Sequence, residues 1–431
     1  MKKEYLTMKK TFILLIISFT ALLFAQEYSF DFNEFKKKPY EYVGSFQVQS
    51  EISELNKSSN LYKLSFLNKE EKDIWDSYST FVQLKGSYEI SRFKILLNLK
   101  DRLTYTTNDE FENDFNIYES FLNTSFSTNW DLQIGKKSVK WGKGYIWNPV
   151  SFVGRQKDIN DVDGDLEGFW MLKFGFVKSF SGFLQNFSIN PIIIPVQKDI
   201  NEDFSDDKTV NFILNNYFLV ADTDFDTYLF YENSEFKRFG LDFARNILTN
   251  WEIHAEYVFQ KHITETLLNL DFTTESSYRN SHDYLFGTRI LFETNTTLIL
   301  EYLHNDSGID KRQMNTFFDA TKIALYENPN LLPTIKNYQL ENFNSQFLMK
   351  DYLYLKLSHP EPFDILYFTP GMFILYNIDD KSQMIGGEFS YSRFDNLNLK
   401  LKYNLLLGEL KSEFGGKISS EKLSLLIDYS F

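Results

Sequence analysis

The 431-residue sequence contains no cysteine. That absence removes disulfide frameworks, thiolate metal sites, cysteine nucleophiles and the lipid-modified cysteine of a lipoprotein anchor. Glycine (19) and proline (9) are sparse, which excludes collagen-like and proline-rich disordered classes. A basic excess is also missing: 45 Lys+Arg against 59 Asp+Glu leave a net charge of −14, whereas a nucleic-acid partner needs a basic face. No P-loop, dinucleotide fingerprint or H-E-x-x-H spacing occurs. The five histidines, His254, His262, His282, His304 and His359, fall in separate segments. Ser281, His282 and Asp283 are contiguous, but neighbours on a strand point to opposite faces and do not converge as a triad. The sequence therefore points to no enzyme, no metal and no cofactor. Beyond the N-terminal segment no apolar run approaches 18 residues, and mean hydropathy is negative, so membrane helices are excluded as the architecture.

Aromatic residues are abundant: 44 Phe, 26 Tyr and 6 Trp make 18% of the chain. The N-terminus carries Lys9 and Lys10, the apolar run Phe12 to Phe24, and then Ala25-Gln26. A basic n-region, a short apolar h-region and a small residue at its end fit a cleaved secretory signal peptide over residues 1–25. Leu23 is larger than the residue usual at its place, and an uncleaved anchor is the alternative. Removal of 1–25 takes the net charge from −14 to about −17. Residues 26–40 read as a periplasmic lead-in.

From residue 41 to 431 the dominant signal is period two. Phe93, Ile95, Leu97 and Leu99 alternate with Lys94, Asn98, Lys100 and Arg102, and Trp251 to Gln260 and Leu397 to Leu405 behave likewise. Each segment thus has one greasy and one wet face. Seventeen strand candidates run from 41–55 to 421–431, with 61–67 a further one. Short turns alternate with long polar connections at 140–166, 197–221, 262–281, 306–348 and 409–420. Many candidates reach 10 to 13 residues, longer than the usual soluble strand and long enough for a membrane strand. Of the two solutions for many amphipathic strands, a soluble sandwich or a membrane barrel, strand length and loop alternation favour the barrel.

The sequence ends in EKLSLLIDYSF, with Leu423, Leu425, Ile427, Tyr429 and Phe431 on one parity. Signal segment, long alternating strands and this ending together resemble Gram-negative-type outer-membrane β-barrel proteins. The resemblance implies an outer-membrane location, contact with membrane lipid, and recognition of Tyr429 and Phe431 by the barrel assembly machinery. Because single-chain bacterial barrels have even strand numbers, the expectation is an all-β, transmembrane, antiparallel up-and-down barrel of about 16 strands, with 18 the alternative. The last strand should pair with the first, near Tyr42 to Leu55.

The most unusual stretch is 133–170, with Trp141, Gly142, Gly144, Trp147, Asn148 and Pro149, then Arg155 and Lys157, then Asp158, Asp161, Asp163 and Asp165. Its pattern resembles a loop of several porin-like families. So many apolar side chains need something to pack on, and the barrel interior is available. The reading is an infolded constriction loop at 140–166; a packed surface loop and a glycan-binding surface are the alternatives. The acids do not match the EF-hand spacing, since Ile159 and Trp170 fall at ligand positions. An irregular Ca²⁺ site remains as an alternative to ion pairing with Arg155, Lys157, Lys137 and Lys140. A short helix is expected at 310–326, anchored by Phe317, Ile323 and Tyr326.

Parity places Lys94, Lys100, Arg102, Lys137, Arg289, Lys400 and Lys402 in the lumen, with Glu252, Glu256, Glu301 and Asp428. Charges lining a pore set ion selectivity, although any wet interior needs polar side chains. The expected function is diffusion of small hydrophilic solutes or ions. The alternatives are transport of hydrophobic compounds, for which Leu291, Ile299 and Leu303 would line the lumen, and export of polysaccharide. Oligomeric state is not specified by the pattern.

Overall fold

The computed structural model describes residues 38–106, 110–205, 208–269, 271–343 and 345–431. The segment read as a signal peptide and most of the lead-in lie outside the described residues. Among the described residues, eighteen strands form one sheet. They are β1 (Tyr40–Leu55), β2 (Ile74–Ile90), β3 (Phe93–Thr106), β4 (Phe111–Ser125), β5 (Trp130–Lys137), β6 (Phe169–Ser179), β7 (Leu184–Val196), β8 (Thr209–Val220) and β9 (Thr223–Glu232). There follow β10 (Glu235–Leu248), β11 (Trp251–Leu268), β12 (Thr274–Leu291), β13 (Thr297–His304), β14 (Asp351–Ser358), β15 (Phe368–Asn377), β16 (Gln383–Phe394), β17 (Leu397–Leu407) and β18 (Ser419–Ser430). Each strand pairs antiparallel with its neighbours in sequence, and β18 pairs with β1 from Ser45↔Ser430 to Leu55↔Ser419. The sheet is closed and has no edge, which is the condition for strands to stand in lipid.

The count is eighteen rather than sixteen. The strand missing from the sequence reading is β8, which lies inside the stretch expected to be a connection at 197–221. Its period is obscured on both faces. Ile213 is fully buried on the lumen side, and Asn216, on the opposite parity, reaches Thr227 Oγ1 at 3.2 Å. Two further expectations change. The stretch 262–281 is mostly strand, because β11 and β12 continue to Leu268 and from Thr274. Residues 61–67 form no strand: helix α1 (Asn60–Ser65), capped by the Ser59 hydroxyl, covers 61–65, and a turn follows.

The outer face is apolar along its length. Leu84, Leu97, Ile134, Phe174, Phe286, Leu423 and Leu425 are all exposed. A belt of this size in water would be an association surface, and around a closed barrel it has the character of the apolar band of membrane barrels. The wet parity turns inward, where Gln47, Gln49, Lys100, Lys400 and Ser424 line a common cavity. At the end holding Tyr40 and Ser430 the strands join mainly by short turns, such as Ala221-Asp222, where both residues adopt positive φ (49° and 58°). That pair of left-handed residues makes the primed turn that matches strand twist. The opposite end carries the long loops.

The lumen is largely filled. The loop between β13 and β14 forms helices α2 (Lys311–Tyr326) and α3 (Leu332–Asn342). Asp310 and Gln313 make a reciprocal capping box at the start of α2, close to the expected bounds of 310–326. Phe317 is fully buried in the larger core cluster with Ile299, Leu303, Tyr352 and Tyr354, while Tyr326 is exposed. Ile299 and Leu303 are thus packed into that cluster, and Leu303 also borders a cavity of about 450 Å³ beside Trp147.

At the seam, Gly44 and Phe431 exchange both backbone hydrogen bonds, at 2.9 and 2.8 Å. A Cβ on Gly44 would lie 2.4 Å from the Phe431 ring, so the glycine is a slot for that aromatic. Gly44→Leu should cost about 1–3 kcal/mol by overpacking and lower the fraction of barrel that stays folded in cold SDS, read by heat-modifiable gel mobility. An unchanged folded fraction would reduce the contact to an ordinary strand end.

Candidate functional site

The link between β5 and β6, residues 138–168, enters the barrel. Gly142 allows the fold-back with φ of 93°, and Pro149 has no N–H to give to a ladder. A chain leaving a sheet carries backbone donors that need partners once they are buried. Here they find carboxylates on the far wall. Glu256 Oε1 on β11 accepts from the N–H groups of Lys143 (2.7 Å) and Gly144 (2.8 Å) and from Asn148 Nδ2 (3.1 Å). Its Oε2 accepts from Val150 N–H at 3.2 Å. Glu301 on β13 accepts from Tyr145 N–H (2.5 Å) and Ile146 N–H (3.1 Å). His254 Nε2 lies 3.0 Å from Glu301 Oε1 and its Nδ1 lies 3.4 Å from Glu252.

Apolar packing completes the docking on both sides. Trp147 is 5% exposed, with its ring centroid 5.5–6.1 Å from those of Phe347, Tyr352 and Tyr354. Val150, Phe152 and Val153 join a second core cluster with Ile192, Ile194, Ile213 and Tyr228 from β7–β9. Lys143 reaches Asp226 at 2.8 Å and Asp242 at 3.7 Å. Burial lowers the Lys143 pKa, but Asp242 and Asp226 outweigh it, so the net direction is up. Lys157 lies within the loop and donates to the carbonyls of Gly144 (3.0 Å) and Tyr145 (2.9 Å). Burial moves its pKa down.

The acidic half of the loop crosses to the opposite wall. Asn160 is held there by Lys402, which donates to its carbonyl, and by Asn404 Nδ2 at 2.7 Å from its Oδ1. Asp165 pairs with Lys85 and accepts from Gln83 at 3.0 Å. Burial raises its pKa, but those two partners outweigh it and hold the carboxyl below its usual value. The expected pairing of the acids with Arg155, Lys157, Lys137 and Lys140 does not form. Arg155 instead meets Asp203 (3.0 Å) and Glu167 (3.4 Å), and Lys137 donates to Gln133 at 2.6 Å. Asp158 accepts from Asn160 N–H in a local turn. Lys140 lies exposed on the loop, and Asp163 faces two of the cavities beside it. Among the described residues no group of three or more His, Asp or Glu converges as a metal site requires.

Two clusters pack much of the lumen against β6–β15, and a run of open space lies against β17, β18 and β1–β4. One cavity of about 410 Å³ is lined by Gln49, Lys100, Arg102, Asp161, Lys400 and Lys422 among others. A second, of about 230 Å³, extends toward Ser358 and Thr369 near the short-turn end. The two abut at Asn160, Asp161, Lys400, Lys402 and Asn404. The five cations of the larger cavity, Lys100, Arg102, Lys400, Lys402 and Lys422, all stand on barrel strands. Of its four carboxylates only Glu51 is on the wall, whereas Asp158, Asp161 and Asp165 belong to the loop. Lys100 and Arg102 both lie over the Phe81 ring, at 5.0 and 5.1 Å. Lys94 sits opposite Glu89, away from this group, and Arg289 lies over Tyr145 at 5.9 Å on the filled side.

Sequence parity gave the inward direction of Glu256 and Glu301, but nothing in it signals that they accept from a loop more than 100 residues away. Lys85, Gln83, Asp226 and Asp242 were missed for the same reason. Glu256→Ala should leave four donors without their acceptor and destabilise the docked loop by about 3 kcal/mol or more. The expected readouts are noisier and larger single-channel currents and faster proteolysis within 138–168. A quiet channel of wild-type conductance would show that packing alone holds the loop.

No protein-family model matches this chain, and comparison with curated proteins finds no match. Solved structures do match. Pseudomonas aeruginosa OccK7 (OpdD) aligns with a TM-score of 0.51 at 9% identity, over 91% of this chain and 98% of that one. A BenF-like porin from Pseudomonas fluorescens Pf-5 aligns with a TM-score of 0.52 at 8% identity, over 91% and 98%. Pseudomonas aeruginosa OccK9 (OpdG) gives 0.53 at 8%, over 91% and 98%. At such identity the likeness is one of fold: this chain is a closed antiparallel β-barrel, as those porins are.

Proposed function

We propose that the protein is an outer-membrane channel for diffusion of small hydrophilic solutes or ions, with a conduction path along β17, β18 and β1–β4. The observation that carries this reading is the charge separation in the larger cavity, with its cations on the wall and three of its four carboxylates on the loop. Opposed rows of fixed charge impose a transverse field on anything that passes between them. Charged or dipolar solutes orient in such a field, and apolar ones gain nothing from it. The loop is the constriction, and no covalent chemistry is involved. The reading for hydrophobic compounds is weakened because Ile299 and Leu303 are buried, at 8% and 6% exposure, in the larger core cluster. In this proposal residues 1–25 are a cleaved export signal, membrane lipid covers the apolar belt, and the assembly machinery reads Tyr429 and Phe431.

Purified protein in planar bilayers should give stable ion-conducting steps. A barrel that inserts but does not conduct would reject the proposal. Reversing Lys100 and Lys400 to Glu should shift the zero-current potential toward cation preference, by a factor of about five in permeability ratio per charge at ~1 kcal/mol each. The shift should shrink at high salt. An unmoved potential would place the conduction path elsewhere.

A further inference from the structure

A separate cavity of about 440 Å³ opens at the long-loop end against β9–β11. Its floor is aromatic. Phe152, Phe169 and Phe230 belong to the second core cluster, and Phe204 packs against them. Deeper in that cluster Val150, Ile192, Ile194 and Ile213 are at most 1% exposed. The cavity therefore has a floor of packed side chains and lies beside the proposed path, and along the loop it abuts a cavity of about 450 Å³ at Ser151, Gly154, Arg155 and Gln156.

Arg238 stands on its wall. The guanidinium lies 5.3 Å from the Phe230 centroid and 5.7 Å from that of Phe152. Among the described residues these ring contacts are its only close interactions. It forms no hydrogen bond and no ion pair. The carboxylates that act on it electrostatically, Asp283 and Glu232, are engaged elsewhere. Glu232 is 3.7 Å from Lys237, and Asp283 accepts from Asp306 N–H at 2.9 Å. A guanidinium presents five N–H donors in a planar fork whose edge matches carboxylate or phosphate oxygens. Two aromatic rings support this one while that edge is left unmet.

The rim adds charge. Arg155 and Lys237 are matched by Asp203 and Glu232, but Lys261 has no partner among the described residues. Two cations, Arg238 and Lys261, are therefore in excess, with His262 beside them. Arg238 faces the lumen, which bilayer lipid does not reach, so the occupant must come from solution.

We propose that this cavity binds one small oxyanion, a carboxylate or a phosphate, with Arg238 as its bidentate donor and Lys261 as its second cation. The anion is held at the long-loop end, away from the proposed path along β17, β18 and β1–β4. The test is calorimetric titration of the purified full-length barrel with inorganic phosphate and, separately, with benzoate. Saturable binding of at least one is expected, weakened about tenfold in Arg238→Gln and about threefold in Lys261→Ala. Arg238→Lys should fall between wild type and Arg238→Gln, because it keeps charge and loses the fork. Single-channel conductance in KCl should be unchanged in Arg238→Gln. Absence of binding by both titrants, or binding that survives Arg238→Gln, overturns the site. Altered conductance in that variant overturns its separation from the proposed path. Wild-type conductance tests the channel separately, so the two proposals fail independently. Lys261 is exposed, so its variant reports on binding without threatening the fold.

Discussion

Everything inside this barrel depends on two carboxylates accepting hydrogen bonds from the backbone of one loop. A segment that leaves a sheet and turns into a closed interior takes its N–H groups away from their ladder. Without acceptors, such a segment would be driven back toward water. Glu256 and Glu301 supply acceptors at five backbone N–H groups between Lys143 and Val150. Once that stretch is fixed, the apolar residues around it have defined neighbours. Trp147 falls among the tyrosines of β14, and Phe152 among the residues of β7–β9. The two core clusters follow from the polar anchor, and they decide which part of the lumen stays open.

The same loop carries charge to where a wall could not. In a barrel of alternating strands, the inward parity is shared by residues of both signs, and charge mixes along the wall. Here a second structural layer stands opposite the wall and bears three of the larger cavity's four carboxylates. Separation of sign across a narrow space is a property of this two-layer arrangement. It does not follow from net charge, which is negative for the chain as a whole.

The fold was legible where an apolar outer face backs a wet inner one, because that contrast writes period two into the chain. Seventeen of the eighteen strands were visible on that ground. The exception, β8, shows the limit: Ile213 faces a packed interior and Asn216 finds a neighbouring Thr227, so neither face keeps its expected polarity. The site was legible in part. Tryptophans beside Gly142 and Gly144 marked the loop, and parity marked Lys100, Arg102 and Glu256. Partnership was not legible, since Asp165–Lys85 and Asn160–Lys402 join residues set by barrel closure and not by spacing. The acids of 158–165 looked self-contained with their neighbouring bases because sequence shows only proximity along the chain.

The attachment of Asn160 to Lys402 and Asn404 has a mechanical meaning. The loop is rooted between β5 and β6, bonded to β11 and β13, and fastened again to β17. It therefore acts as a tie-beam with footings spread around the circumference. Lateral pressure from a bilayer tends to flatten a hollow cylinder, and a braced cylinder resists that deformation. In the proposed bilayer setting the bore is accordingly held by this internal bracing, and membranes of different tension should find it with the same cross-section.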